Sequence, residues 1–171
     1  ISKNHILKQG WIGDWGSLVK GWKEGEPESV PTAFYFWNAQ ILAKIAALLD
    51  KDEDAAHFSK LAGEIKEVYN KSYFDATTFN YNDSSQMANA FPLFLGLAPE
   101  KHKKQILDNL INDIVNTNDG HLTTGVLGSK YMIDALSQEN RADIAWLLAT
   151  QTGTPSWSDM VEKYTTMCEF W

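Results

Sequence analysis

The sequence predicts an all-α protein built from antiparallel helix pairs. Three observations carry this. Apolar residues recur at helical spacing through most of the chain. Helices rich in Ala, Phe and Leu alternate with helices that carry a Lys/Glu face. Helices of the first kind should start near residues 32, 85, 125 and 166, which are 53, 40 and 41 residues apart, with one pair in each interval. A recurring spacing of helix pairs indicates a solenoid or a closed helical toroid. No strand pattern of comparable length is present. Tyr73 to Tyr81, with its Thr77-Thr78 pair, suits a short hairpin or a loop.

The first helix is expected over Pro31 to Asp50. Pro31 fits a first turn, and Phe34, Trp37, Ile41, Ile45 and Leu48 recur at helical spacing. Ala33, Ala39, Ala43, Ala46 and Ala47 fill much of the rest, which predicts burial on most sides. The second helix, about Asp52 to Tyr73, has one stripe of Phe58, Leu61, Ile65, Val68 and Tyr69. Its other face carries Lys60, Glu64, Lys66, Glu67 and Lys71, with Glu67 and Lys71 at a favourable i,i+4 spacing. Ser84 to Leu95 is apolar and ends at Gly96, a natural helix stop. Pro99 opens an amphipathic helix to about Asn116, with Ile106, Leu110, Ile111 and Ile114 inside. A buried helix over about Gly125 to Leu136 and a partner over Ala142 to Ala149 follow, and a last helix is expected to begin near Thr166.

Composition narrows the function. The 171 residues suffice for one core and are short for two. With 44% hydrophobic and 22% charged residues the chain is globular rather than disordered. Fifteen Lys plus Arg against 22 Asp plus Glu give a net charge of -7, which argues against a nucleic-acid partner. No apolar run approaches the ~20 residues of a membrane span, so no membrane partner is expected. The single Cys168 excludes an internal disulfide framework, and no Cys/His spacing suggests a metal site. Lys101 to Lys104 reads as solvated surface, and the four Met as core filler. Ile1 is not an initiator Met, and the chain stops on the apolar run Cys168-Glu169-Phe170-Trp171. The expectation is therefore an internal piece of a larger protein, for which missing targeting signals say nothing about compartment.

Candidate chemistry lies in the loops. Of seven Trp, only Trp37 and Trp146 fall inside expected helices. The others sit in Gly10 to Gly16, in Thr154 to Trp157, in the flanking loops or at the final helix start. Indole has an apolar face and an N–H that needs a partner, so it belongs in cores or at binding surfaces. Loop Trp gathered on one rim would suit sugars, whose C–H faces stack on indole. Each residue also has a plain structural role open to it. A loop Trp can pin its loop, Asp14 can be a turn residue or an N-cap, and His121 can bond loop backbone. Glu169 can serve as an acid in a first helical turn, although its apolar neighbours set it apart from a solvated face.

The ordered set of Gly10-Trp11-Ile12-Gly13-Asp14-Trp15, the apolar helix 31–46, His121-Leu122-Thr123-Thr124-Gly125 with Gly128, Pro155-Ser156-Trp157, and Thr165-Thr166-x-x-Glu169-x-Trp171 resembles the catalytic domain of bacterial α-L-rhamnosidases of glycoside hydrolase family 78. The resemblance covers nearly the whole chain. It implies that residues 1–171 form part of an (α/α)6 toroid and complete it with the remainder of their own catalytic domain. It also implies inverting hydrolysis of terminal α-L-rhamnosyl residues from glycosides or polysaccharides, with a rhamnose-containing carbohydrate as partner and no cofactor. The family's general base maps onto Glu169, and Asp14, Trp15, His121, Trp157 and Trp171 map onto the sugar pocket. The family's general acid precedes Gly-Trp-x-Gly-Asp, where this chain reads Asn4-His5-Ile6-Leu7-Lys8-Gln9 without a Glu, the position falling on about Leu7. Cys168 stands where the family usually has Trp, and Ser158 where Gly is common. The chain thus carries one of two catalytic carboxylates, and in isolation is expected to be inactive and to self-associate through its apolar helix. A first-turn carboxylate stays ionised, which suits a base, and a Trp-lined pocket suits the methyl of a 6-deoxy sugar. Two other readings compete: a different (α/α)6 carbohydrate-active hydrolase or phosphorylase, and a non-catalytic helical-repeat scaffold.

Overall fold

In the computed structural model, residues 2–8, 13–18, 28–168 and 171 are described. They form seven α-helices and two short strand pairs. The chain divides into two compact units, Ile1–Gly13 with Lys23–Phe74, and Asp14–Trp22 with Asp75–Trp171. Among the described residues no helix is long and apolar enough to cross a membrane.

The first unit starts with a two-residue hairpin. Strand β1 (Ser2–Lys3) pairs antiparallel with β2 (Ile6–Leu7), Ser2 opposite Leu7 and Lys3 opposite Ile6. Asn4 and His5 turn the chain with φ of +50° and +61°, the double left-handed geometry that matches strand twist in a two-residue loop. Helix α1 (Ser29–Leu48) and helix α2 (Asp52–Tyr73) follow, joined by three residues and packed on each other. Asp52, Glu53 and Asp54 sit at the positive end of the α2 dipole and Lys71 at the negative end. The main-chain N–H of Leu7 donates to Thr32 Oγ1 at 3.1 Å and ties the hairpin to α1.

The burial of α1 differs from the sequence expectation. Its buried stripe is Ala33, Phe36, Ala39, Ala43 and Ala46, while Ile41, Leu42, Ile45 and Leu48 are exposed, Leu48 by 83%. Among the described residues the helix is covered on one side only. Alanines at helical spacing let two backbones approach closely, so the contact with Ala62, Ile65 and Tyr69 of α2 takes the small-residue face. The large aliphatic residues are left on the other.

The second unit holds the larger core. Helix α3 (Gln86–Leu95) is capped by Ser85, whose Oγ accepts the Ala88 N–H at 3.2 Å, and ends at Gly96 with φ +72°. It packs on α4 (Lys103–Asn112) and α5 (Val126–Gln138). Phe91, Ile106, Leu110, Ile114, Leu122, Met132, Leu136 and Leu148 are fully buried around it. The single helix expected from Pro99 to Asn116 is broken into a 3₁₀ turn (Glu100–His102), α4 and a π-helical turn (Asp113–Thr117). Strands β3 (Phe74–Asp75) and β4 (Asn80–Tyr81) form the short hairpin that was one of two options for this stretch. Lys103 is less solvated than its run suggested, since its ammonium lies 2.6 Å from Glu139. Met87, Met132 and Met160 are core residues, whereas Met167 is exposed.

Helix α6 (Ala142–Ala149) matches its expected bounds. The last helix does not. Residues 165–168 are not helical, and α7 spans Trp157–Tyr164 instead. Ser156 starts it by accepting the Asp159 N–H on Oγ at 3.0 Å, and Thr165, at φ +59°, stops it.

Candidate functional site

The start of α5 gathers the sequence motifs of the second unit. Its cap position is Gly125, and no side chain of its own loop caps it. The cap comes from a segment more than a hundred residues earlier. Asp14 Oδ2 accepts the Gly125 N–H and Asp14 Oδ1 accepts the Gly128 N–H, both at 2.7 Å. The first amides of a helix lack internal partners and carry the positive end of its dipole, so a carboxylate here meets both needs. Burial pushes the Asp14 carboxyl above its usual range, and the amides of Gly128, Gly125 and Leu127 pull it back down.

The approach is close enough to demand glycine. A Cβ on Gly125 would overlap the Trp15 carbonyl, and one on Gly128 would press on Asp14 Oδ2 and Thr124. The same loop is stitched on by Val126 N–H to Trp15 O at 2.8 Å, and by Leu18 N–H and Ser17 Oγ to Thr123 O at 2.9 and 3.0 Å. Asp14 therefore acts as a helix cap from a distant loop. That is the structural option weighed for it, realised on α5 rather than on its own segment.

Trp171 reaches the same junction, its indole Nε1–H donating to Thr124 O at 2.6 Å. The ring of Trp157, first residue of α7, lies 6.0 Å from that of Trp171 at 51°. Trp157 is thus inside a helix and not in a loop. His121 stands three residues before Thr124. Its Nδ1 faces the carbonyls of Asn118 and Asp119 at 3.2 and 3.0 Å, which makes Nδ1 the protonated nitrogen. Its Nε2 is buried and has no hydrogen-bond partner among the described residues. Asp14, Thr124 to Gly128, Trp157 and Trp171 are thus brought together, and His121 is held in the adjoining turn. Glu169, Gly10 and Trp11 lie outside the described residues.

Sequence reasoning missed the residue beneath this loop. Gln86 is completely buried, its Nε2 donating to His121 O at 3.1 Å and its Oε1 accepting the Thr123 N–H at 2.9 Å. Asp113, on the π-helical turn, bonds Gln86 and receives Asn118 Nδ2 at 2.9 Å. Burial holds its carboxyl above the usual range. A Gln at the head of an apolar helix, just after a Ser cap, was the available signal. Asp159 accepts from Lys163 Nζ at 2.8 Å and Thr154 Oγ1 at 2.7 Å, which hold its carboxyl below the usual range. Among the described residues no three His, Cys, Asp or Glu are arranged to hold a metal ion.

The comparisons with known proteins agree with one another. A sequence model of the bacterial alpha-L-rhamnosidase 6 hairpin glycosidase domain matches residues 2–171. An α-L-rhamnosidase of Streptomyces avermitilis is 29% identical over 93% of this chain, and one of Formosa agariphila is 28% identical over 90%. The chain covers only 15% and 17% of those proteins. Among solved structures, α-L-rhamnosidase from Dictyoglumus thermophilum superposes with a TM-score of 0.90 at 30% identity, over 98% of this chain and 20% of its own. The Streptomyces avermitilis enzyme, solved with L-rhamnose, gives 0.88 at 27% identity, over 99% of this chain and 16% of its own.

Proposed function

Because this chain belongs to the bacterial α-L-rhamnosidase six-hairpin glycosidase family, we propose that it forms part of an (α/α)6 catalytic domain that hydrolyses terminal α-L-rhamnosyl residues with inversion. The observation that carries this reading is the junction at α5. The Asp14 carboxylate and the Trp171 indole, from opposite ends of the sequence, are both bonded within Thr124 to Gly128. These are the segments on which the family resemblance rests.

Glu169 is the general base. It stands two residues before Trp171, whose indole is fixed at the junction. Inversion places two carboxyl groups roughly 6.5–9.5 Å apart, so that the base can deprotonate a water attacking the anomeric carbon. The ionised Asp159, paired with Lys163 and Thr154, is a poorer base, because those partners stabilise its charged form. Trp15, Trp157 and Trp171 offer apolar surface to the sugar, and Asp14 and His121 order the loops that present it. The general acid comes from a different stretch of the enzyme. Leu7, at the family's acid position, lies in β2 and carries no proton to give. The remainder of the catalytic domain covers the exposed stripe of α1, and in the isolated chain a second copy does so.

The test is Glu169→Gln in the enzyme that contains this chain. Loss of a general base costs about 10²–10⁴-fold in kcat, with KM little changed, because water attack belongs to the transition state. Azide should restore turnover and give a glycosyl azide of inverted configuration. An unchanged kcat with only a lower Tm would reduce Glu169 to a structural residue. The 171-residue chain alone is expected to be inactive on rhamnosides.

A further inference from the structure

Helix α3 buries the Gln86 side chain completely, although the cap of the helix is already supplied by Ser85. A buried amide costs free energy unless its donors and its acceptor are used. Here they are. Nε2 donates to His121 O at 3.1 Å, and Oε1 accepts the Thr123 N–H at 2.9 Å. Nε2 also serves the Asp113 carboxylate. Residues 121 and 123 flank the buried Leu122, so the amide gives this stretch the donor and the acceptor that a neighbouring strand would give.

Asp113 decides which way the amide lies. The two ends of a Gln amide have nearly the same shape and opposite polarity. A carboxylate only accepts, so it takes the NH2 end and leaves Oε1 to Thr123. A reversed amide would set its oxygen against both Asp113 and His121 O, and its NH2 against the Thr123 N–H. Asn118 Nδ2, at 2.9 Å, holds the Asp113 carboxylate in turn.

The backbone that Gln86 holds is one residue from the junction at α5. Thr123 O accepts from Leu18 N–H and Ser17 Oγ, and the Gly125 N–H is bound by Asp14. Between these fixed residues lies Thr124, 1% exposed, whose carbonyl accepts the Trp171 indole N–H. A trans peptide is planar and sets the next Cα about 3.8 Å away, so a shift of Thr123 is passed on to Thr124. It then moves the acceptor that fixes Trp171, and Glu169 stands two residues before Trp171.

We propose that Gln86, oriented by Asp113, is a positioning residue for the reaction: it places the Thr124 carbonyl, through it the Trp171 indole, and through that indole the general base Glu169. The proposal rests on the rhamnoside reading and on Glu169 as its base. A reacting group displaced by about 1 Å can lower a rate about a hundredfold, so the effect falls on kcat.

The experiment pairs Gln86→Met with Asn89→Leu in the enzyme that contains this chain. Each replaces a buried amide of α3 by an apolar side chain of similar size, but Asn89 bonds Tyr81 N–H and Asn80 Oδ1 instead of the 121–123 backbone. Gln86→Met should lower kcat on a rhamnoside about ten- to a hundredfold with KM changed less, and Asn89→Leu should leave kcat within about twofold at a similar loss of Tm. In a Glu169→Gln background, Gln86→Met should lower kcat little further, because the base through which it acts is gone. Asp113→Asn, which lets the amide reverse, should lower kcat less than Gln86→Met and add nothing to it. Equal kcat losses in Gln86→Met and Asn89→Leu overturn the proposal, as does a Gln86→Met loss that adds in full to that of Glu169→Gln. If Gln86→Met does not fold, Asp113→Asn carries the test, and an unaltered kcat there overturns the proposal. A second measurement needs no activity. In ¹H–¹⁵N NMR of the 171-residue chain, Gln86→Met and Asp113→Asn should shift the Trp171 indole N–H and Asn89→Leu should not. An indole unmoved by the first two overturns the proposal. A shifted indole, with an enzyme inactive on rhamnosides or indifferent to Glu169→Gln, refutes the rhamnoside reading or its base and leaves the placement of Trp171 by Gln86 standing.

Discussion

Helix α3 buries eight of its ten residues, whereas α1 buries eight of twenty. The two segments read alike, as runs of Ala, Phe and Leu that belong in an interior. Their surroundings differ. Within its unit α3 is enclosed by α4 and α5, and α1 packs mainly on α2. The polar residues differ in the same sense. Gln86 and Asn89 are buried in α3 and bond loop backbone, Gln86 to the 121–123 turn and Asn89 to Tyr81 N–H at 3.0 Å. Helix α1 instead leaves Ile41, Leu42, Ile45 and Leu48 uncovered. An apolar composition therefore states that a helix will be covered, but not by what.

The largest expected effect separates these two helices directly. Phe91→Ala removes a buried ring packed 4.9 Å from that of Tyr131 and should cost about 3–5 kcal/mol. Leu48→Ala, on the exposed stripe, should stay within about 0.5 kcal/mol. Urea unfolding of both variants, at a dilution where the chain is monomeric, reads the difference, and equal losses there would mean that the stripe is covered from within the chain itself.

Next comes the cap on α5. Asp14→Ala strips two buried amides of their acceptor and should cost about 3 kcal/mol by the same measurement. A loss below ~1 kcal/mol would mean that water satisfies Gly125 and Gly128 as well as the carboxylate does. Ser156→Ala removes only the ordinary cap of α7, one hydrogen bond at the surface end of a short helix. It should cost about 1 kcal/mol.

The smallest effect is a change of slope with pH. Asp14 has its folded pKa raised above 3.8, so between about pH 4 and that higher value the folded chain holds a proton the unfolded chain has released. Its contribution to stability therefore falls as pH rises through that window, and Asp113 acts in the same sense. Asp143, lowered by Arg141, acts oppositely, its contribution present above 3.8 and lost as pH falls. Urea midpoints from about pH 3 to 6 should lose the falling segment in Asp14→Asn and the acid-side loss in Asp143→Asn. Reversed assignments would show that the α5 amides outweigh burial at Asp14.

By itself the sequence determined what acts over a few residues. Helical periodicity and charge at the ends placed α2 over Asp52–Tyr73 and α6 over Ala142–Ala149. They did not place α7: the Trp- and Pro-rich stretch 154–157 reads as loop and the last helix is expected near Thr166, whereas Ser156 caps a helix over Trp157–Tyr164. The motifs carrying Asp14, His121, Trp157 and Trp171 were legible as candidates, because loop Trp and Gly-Asp turns stand out against helical surroundings. Tertiary structure decided the rest. It chose the alanine face of α1 as the packed one, sent Gln86 under the 121–125 loop, and set Asp14 on a helix end 111 residues later in the chain. Capping and i→i+4 bonds are local, so their partners follow in sequence order. Which face is covered, and which carboxylate meets an orphan amide, depends on surfaces that exist only once distant segments have packed.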